Sequence, residues 1–390
     1  MRPRPYAKQP RSALSTQRTL FSSASSAVSA VAFVALFVVV QAFPPTLARY
    51  HASYGEARPS TTREGGRPAH APSAIERYEY AQPHMGTEVR IVLYAPTAAA
   101  AADASQAAFA RIAQLDDELS DYRETSELMR LSRQAGGEPV KVSDDLFRVL
   151  RASQQLFRRS DGAFDATVGP LSVIWRRARR LSEMPDPARL AEARRLVGSD
   201  KLDLDDDGRT VRLKAPGMRL DLGGIAKGFA ADEAAAVLSN RGIGAALVAA
   251  GGDIVVTGPP AGAEGWRIAV ASLGGADRPP ARDLTLHHAA VSTSGDAEQF
   301  LASDGVRYSH IIDPRTGWAT TGRTSVTIVA PNGATSDGLA TAVVVLGWAK
   351  GLRLVDSTPG AAGLVMEAGG DGIRTHESSS MRSRYAHHTP

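Results

Sequence analysis

The sequence predicts an α+β protein, two intimate lobes of mixed or antiparallel sheet flanked by helices. Three observations carry that expectation. Strand-like segments come in runs, with helices between the runs instead of one helix after every strand. The segment KLDLDDDGRTVRLK has the form of a hairpin with its turn at Asp206-Asp207-Gly208. A long Ala-rich stretch, Ala98 to Leu119, sets Phe109, Ile112, Leu115 and Leu119 at helical spacing. With 390 residues, 43% apolar and 22% charged, the chain is long enough to bury a full core.

The elements begin after a long N-terminal preface. Arg and Lys residues open the chain, and an apolar run from Ala27 to Phe43 follows before Pro44 and Pro45 break it. That pattern predicts an export signal across 1–48, with Thr46-Leu47-Ala48 as a small-x-small cleavage site. The run is also just long enough to remain in the inner membrane as an anchor. Either way the folded part is expected on the periplasmic face. Residues 49–76, rich in Ala, Arg, Ser, Gly and Pro, form a flexible linker in this reading.

The folded region is expected over 77–372. It opens with a strand, a turn at Met85-Gly86-Thr87, and a second strand in which Val89, Ile91 and Leu93 alternate. The Ala-rich helix stops at Ser120-Asp121-Tyr122-Arg123. A further helix, Asp144 to Arg159, leads into the loop DGAFDATVGPL at 161–171, and Pro187 to Leu196 forms a short amphipathic helix. MRLDL (218–222) has a strand-like pattern and runs into Gly223-Gly224, then a helix over 227–241. Strands follow near 246–257, 266–271, 283–292, 307–312 and 324–330. A helix over 336–349 and two short strands close the fold. Residues 373–390 are expected to be a disordered tail.

Composition narrows the chemistry. The formal charge of +4 owes much to MRPRPYAKQPR at one end and IRTHESSSMRSRYAHH at the other. No basic helix interleaved with aromatics occurs, so no nucleic-acid partner is expected. The absence of cysteine excludes disulfides, thiolate metal sites and a thiol nucleophile. What remains is oxygen and imidazole chemistry. DLGGIAKGFAAD (221–232) puts two glycines before a helix, where backbone N–H groups can meet a phosphate, although a plain tight turn has the same sequence. Asp337 and Thr341 lie four apart near a helix start and share one face, a donor pair suited to a hard cation. The alternative is a capping Asp with a Thr bonded back to its own helix. A main-chain carbonyl from the turn before residue 227 can complete such a cation site.

His310 is one of nine histidines and sits among alternating apolar residues, as an acid/base group or as sheet packing. Asp313 before Pro314 reads as a turn-former. Gly252-Asp253 has the form of a bulge with a solvent-facing carboxylate. Tyr122 and Phe164 can each stack on a flat ring or belong to the core, and Trp175 reads as packing.

The motifs taken together resemble the ApbE family, the FAD:protein FMN transferases. In order they are MGT (85–87), LSDYRETSEL (119–128), DGAFDATVGPL (161–171), DLGGIAKGFAAD (221–232) and AAGGDI (249–254). STSGDAE (292–298), YSHIIDPRTG (308–317) and SDGLATA (336–342) complete the series, which covers nearly all of the folded region. Ala297, Ala249-Ala250 and the C-terminal tail depart from the family pattern. The resemblance implies an FAD cleft between the lobes and Mg²⁺-dependent transfer of FMN to a Thr or Ser of an acceptor flavoprotein, such as an electron-transfer subunit, with AMP leaving. It implies Mg²⁺ on the Ala226 main-chain oxygen, Asp337 and Thr341. Met85, Tyr122, Ala163, Phe164, Asp165, Asp221, Lys227 and Ile311 are implied to line the FAD site. His310 is implied as the proton-transfer group, with Asp337 catalytic through the metal. A metal-dependent FAD pyrophosphatase and a non-catalytic FAD-binding protein are the alternatives.

Overall fold

Met85 and Gly86 both have positive φ, 49° and 73°, the signature of a two-residue type I′ turn. They join β1 (Glu76–His84) to β2 (Thr87–Ala95), which pair antiparallel along their whole length. The computed structural model of the protein describes residues 75–273, 279–295 and 299–385. The expected signal and nearly all of the linker lie outside the described residues, as does Ala297.

Thr97 caps α1 (Ala98–Leu119) by accepting a hydrogen bond from the Ala100 N–H at 3.2 Å. There follow α2 (Glu127–Arg133), β3 (Val140–Lys141), α3 (Asp144–Arg159), α4 (Gly169–Leu181) and α5 (Pro187–Arg194). The acids Asp144 and Asp145 start α3 and the bases Arg158 and Arg159 end it, matching the helix dipole at both ends. The predicted hairpin is β4 (Leu202–Asp205) with β5 (Thr210–Leu213), joined by β3 in a small sheet ordered β3-β5-β4. Next come α6 (Ala226–Asn240), β6 (Ala246–Ala250), β7 (Asp253–Val256), β8 (Trp266–Val270), β9 (Arg282–Leu286) and β10 (Ala289–Gly295). The chain continues through β11 (Phe300–Ser303), β12 (Val306–Ile312), β13 (Ala319–Thr321) and β14 (Thr324–Ala330). It ends with α7 (Gly333–Asp356), β15 (Ala362–Gly369), β16 (Gly372–Glu377) and α8 (Ser379–Arg384).

The main sheet has eight strands in the order β1-β2-β6-β7-β10-β14-β15-β16, every neighbouring pair antiparallel. Side chains alternate between its faces. Val89, Ile91, Leu93, Val248 and Val255 meet α1 and α6, and Val326, Ile328 and Val365 meet α7. Val92, Leu247, Ile254, Val256, Val291 and Leu364 face the other way, onto the β8–β9 ribbon. A separate cluster packs α4 and α5 on the β11-β12-β13 sheet around Trp175. Trp175 is fully buried and donates its indole N–H to the Gly317 carbonyl at 3.0 Å, so it is indeed packing.

Four expectations need correction. The stretch 246–257 is two strands, because Gly251 (φ 64°) turns the chain and Gly252 lies where a Cβ would come within 2.7 Å of the Thr293 carbonyl. The stretch 283–292 is also two strands, parted at His288 (φ 45°) and serving different sheets. MRLDL (218–222) joins no ladder; it is a connection held by the Asp221 N–H to the Ala166 carbonyl at 2.8 Å. The tail expected to be disordered is built into the fold over 373–385. There β16 pairs with β15, and α8, capped by Ser378, buries Met381 completely. Its sequence hid this because β16 is an edge strand held by backbone bonds, with four exposed residues at its start and no apolar alternation.

Candidate active site

The site is made where α6 and α7 start side by side. Asp221 accepts the Gly223 N–H at 2.8 Å, an Asx turn that rolls the chain into α6. No side chain caps that helix from Ile225. Instead the Gly228 N–H donates to Asp337 Oδ2 at 3.2 Å, so a carboxylate on α7 satisfies a first-turn donor of α6. The reverse lacing is supplied by Asp232 on α6, which accepts the Gly333 and Ala334 N–H groups at 2.6 and 2.9 Å. Asn332, not Asp337, caps α7, which removes the capping explanation for Asp337. The helix runs longer than expected, 333–356, with a kink at Gly347.

Glycine makes this approach possible. A Cβ on Gly228 would fall 2.1 Å from the Gly333 carbonyl oxygen and 2.9 Å from Asp337 Cβ. A Cβ on Gly224 would fall 2.8 Å from Thr341 Oγ1 and 3.2 Å from the Phe164 ring. Thr341 therefore faces the Gly-Gly turn at Gly224, with Phe164 beside it, and Asp337 faces Gly228 in the first turn of α6; Ala226, between those glycines in the chain, is buried.

Lys227 reaches across this junction. Its ammonium is 2.8 Å from Asp253 Oδ2 and 3.7 Å from Asp337 Oδ2. The nearer contact is a close ion pair. Asp253 is 2% exposed, so the expected solvent-facing carboxylate is instead a buried counter-ion. Burial alone would lower the Lys227 ammonium, but Asp253 and Asp337 outweigh it and hold it above its usual range. Burial, then the charge of Asp253, pushes Asp337 up to about 7 against the pull of Lys227. One ammonium thus faces two carboxyls. The β1–β2 turn that carries Met85 lies against Gly251, two residues before Asp253 in the chain, since Thr87 sits 3.3 Å from where a Gly251 Cβ would point.

The second half of the site is aromatic and charged. Tyr122 is 72% exposed, with the Arg176 guanidinium over one face of its ring at 4.1 Å. Arg176 also pairs with Asp221 at 2.9 Å and with Asp121. Burial, then Asp221, raises Asp121 to about 6, partly offset by Arg176. On β12, Ile311 is buried and His310 half-buried, and His310 Nδ1 is enclosed without a hydrogen-bond partner among the described residues. Burial, then the positive charges of Arg179 and Lys227, lowers His310 to about 4, so its imidazole is neutral at pH 7. Asp221 also acts on it, which links β12 to the Gly-Gly turn.

Asp165 does not point into this group. Its carboxylate accepts the Thr167 N–H and hydroxyl at 2.8 and 2.7 Å, within its own loop. With Gly162 it lines a separate open cleft of about 460 Å³ beside Arg194, Arg195 and Lys201. Ala163 is buried next to Phe164. Sequence reasoning misread Asp253 as solvent-facing and missed Asp232, Arg176 and Arg179. The i,i+3 spacing of Arg176 and Arg179 on one helix was the signal available for the last two.

An antiparallel α+β scaffold of this kind, with a glycine-cradled carboxylate and hydroxyl beside an exposed aromatic, defines a protein built around one oxygen-lined site. The ApbE family model matches residues 85–365, and the chain belongs to that family. It is 35% identical over 305 residues to the FAD:protein FMN transferase of Treponema pallidum, covering 74% of this chain and 84% of that one. The Vibrio cholerae FAD:protein FMN transferase is 32% identical over 311 residues, covering 79% and 92%. Among solved structures, the flavin transferase ApbE from Vibrio cholerae superposes with TM-score 0.71 at 31% identity, covering 79% of this chain and 99% of that one. The ApbE protein of Thermotoga maritima gives TM-score 0.72 at 30% identity, covering 80% and 100%.

Proposed function

We propose that this chain is an FAD:protein FMN transferase, moving the FMN half of FAD onto a Thr or Ser hydroxyl of an acceptor flavoprotein and releasing AMP. The observation that carries the reading is the Asp337–Thr341 face of α7, held in contact with Gly224 and Gly228 at the start of α6.

The residues suit a divalent ion such as Mg²⁺. Asp337 and Thr341 offer hard oxygen donors, Ala226 adds a main-chain oxygen, and two carboxyls, Asp253 and Asp337, face the single ammonium of Lys227. Those three residues hold the ion in this reading. When bound, it neutralises the diphosphate and the charge that grows on AMP as it leaves. Lys227 holds Asp337 in place. The open face of Tyr122 stacks on the flavin ring, and Met85, Ala163, Phe164, Asp165, Asp221, Lys227 and Ile311 line the remainder, Asp165 by its backbone.

His310 takes the proton of the acceptor hydroxyl at its unpartnered Nδ1 as the oxygen–phosphorus bond forms and the bond to AMP breaks. The low value of His310 in the free protein makes it a weak base. Phosphate charge beside it raises that basicity when substrate binds.

The test uses residues 73–390 with FAD, Mg²⁺ and an acceptor flavodomain, followed by in-gel flavin fluorescence of the acceptor. Label that disappears with chelator and with Asp337→Ala supports the transferase. Free FMN and AMP with an unlabelled acceptor sink it in favour of pyrophosphatase action by water in the same site. We also infer export to the periplasmic face from the apolar run Ala27–Phe43, so the acceptor is a protein of that compartment, such as a membrane-bound electron-transfer subunit. Fractionation of cells finding the enzyme in the cytoplasm would overturn that part.

A further inference from the structure

Four arginines in α4 fall into two pairs. Arg177 and Arg180 are exposed, whereas Arg176 and Arg179, one turn apart, turn inward on a shared face. The helix packs on β12, as the Trp175–Tyr308 ring contact at 5.8 Å shows, and the charge of Arg179 reaches His310 on that strand. Arg176 is fully matched: it pairs with Asp121 and Asp221 and stacks on Tyr122. Arg179 is not. Its NH1 nitrogen is buried without a hydrogen-bond partner among the described residues, as is His310 Nδ1.

A buried guanidinium nitrogen without an acceptor is costly, and such a group in a ligand site is an unfilled half of a contact. Tyr122, Arg176, Asp221 and His310 all lie within electrostatic reach of Arg179. Asp221 already serves Arg176 and the Gly223 N–H, so it does not close an ion pair with Arg179. Lys227, the other cation near His310, is met by Asp253 and Asp337. Among the described residues, Arg179 is therefore a cation of this site that still wants an anion.

We propose that Arg179 is a substrate-binding residue whose guanidinium grips a phosphate oxygen of the bound flavin nucleotide, between the Tyr122 platform and His310. Only the identity of the ligand rests on the flavin-transfer reading. A planar guanidinium matches phosphate oxygens and stays charged at every working pH. Held there, it fixes the phosphorus relative to His310 and sets a preference for flavin nucleotides over riboflavin, which carries no phosphate. Arg179 acts on binding, and through it on orientation, without joining the proton transfer.

The experiment measures equilibrium binding of FAD and of riboflavin by flavin fluorescence, with Mg²⁺ present, for the wild type, R179Q and R179K. A charge-assisted hydrogen bond lost from a buried site corresponds to about a ten- to hundredfold loss of affinity. R179Q is expected to lose that much for FAD while riboflavin binding changes less than about twofold. R179K, keeping the charge, is expected to recover most of the FAD affinity. Equal weakening of both ligands, or unchanged FAD binding in R179Q, overturns the inference. Should R179Q not fold, R179M carries the test in its place, with a selective fall in FAD affinity expected and an equal fall for both ligands, or unchanged FAD affinity, overturning it. A wild type that prefers FAD to riboflavin but never labels an acceptor would sink the transferase reading and leave Arg179 as argued. A wild type that labels the acceptor, with R179Q still preferring FAD as strongly, would do the opposite.

Discussion

Gly228→Ala tests the geometry on which the site depends. The added methyl carbon would sit 2.1 Å from the Gly333 carbonyl oxygen and 2.4 Å from its carbon, where contacts under 3.0 Å essentially never occur. Both obstacles are backbone, so no rotamer change relieves them, and α6 and α7 must separate by about 0.9 Å or more. Overpacking of this kind costs up to about 3 kcal/mol, and exchanging Gly for Ala inside a helix returns about 1 kcal/mol. The net loss is about 2 kcal/mol, or about 4 °C in Tm for a domain of this size. The displacement also breaks the contact of Gly228 N–H with Asp337, so the variant should lose most Mg²⁺-dependent turnover even well below its Tm. Gly244→Ala, with nothing within 4 Å of its Cβ, is the control and should melt with the wild type. Thermal melts and acceptor labelling read both effects. A Gly228→Ala protein that melts within about a degree of the wild type and keeps its turnover would refute the helix-contact argument.

Three further outcomes are expected. His310 has a folded value near 4, below its usual 6.5. Between those values the unfolded chain binds a proton that the folded chain refuses, so stability falls as pH drops from 6.5 toward 4. The stability gap between wild type and His310→Asn should shift by up to roughly 3 kcal/mol across that window; denaturant titrations giving a constant gap would contradict it. Lys227→Met and Asp253→Asn should each destabilise by about 2 kcal/mol, and their double-mutant cycle should show coupling above about 1 kcal/mol. Simple additivity in urea titrations would make the pair incidental. Met381→Ala, at a fully buried position in α8, should cost about 2–5 kcal/mol; a melt unchanged from wild type would mean the C-terminal segment is not part of the core.

What could be read from the sequence followed the physics of each signal. The type I′ turn at Met85-Gly86, the Ala-rich α1 and the Asp206-Asp207-Gly208 hairpin are local patterns, and the structure has all three. That Asp337 and Thr341 share one face of α7 was legible because i,i+4 spacing is a property of the helix itself. Asp253 was misread because its burial depends on Lys227 arriving from another element, a contact invisible in the Gly-Gly-Asp segment alone. The closeness of Gly228 to Gly333 is likewise a tertiary fact about two distant glycines. Asp165 shows the reverse limit: its place in a motif suggested a ligand contact, while its carboxylate is engaged by Thr167. The C-terminal strand escaped because an edge strand held by backbone hydrogen bonds requires no apolar period.

The central claim is transfer of FMN to a protein hydroxyl, and intact-protein mass spectrometry of the acceptor tests it most directly. Wild-type enzyme, FAD and Mg²⁺ should add one FMN less one water to the acceptor, on a single Thr or Ser. Chelator, Asp337→Ala and an acceptor lacking that hydroxyl should each abolish the gain. An acceptor of unchanged mass, with FAD consumed to FMN and AMP, would contradict the account.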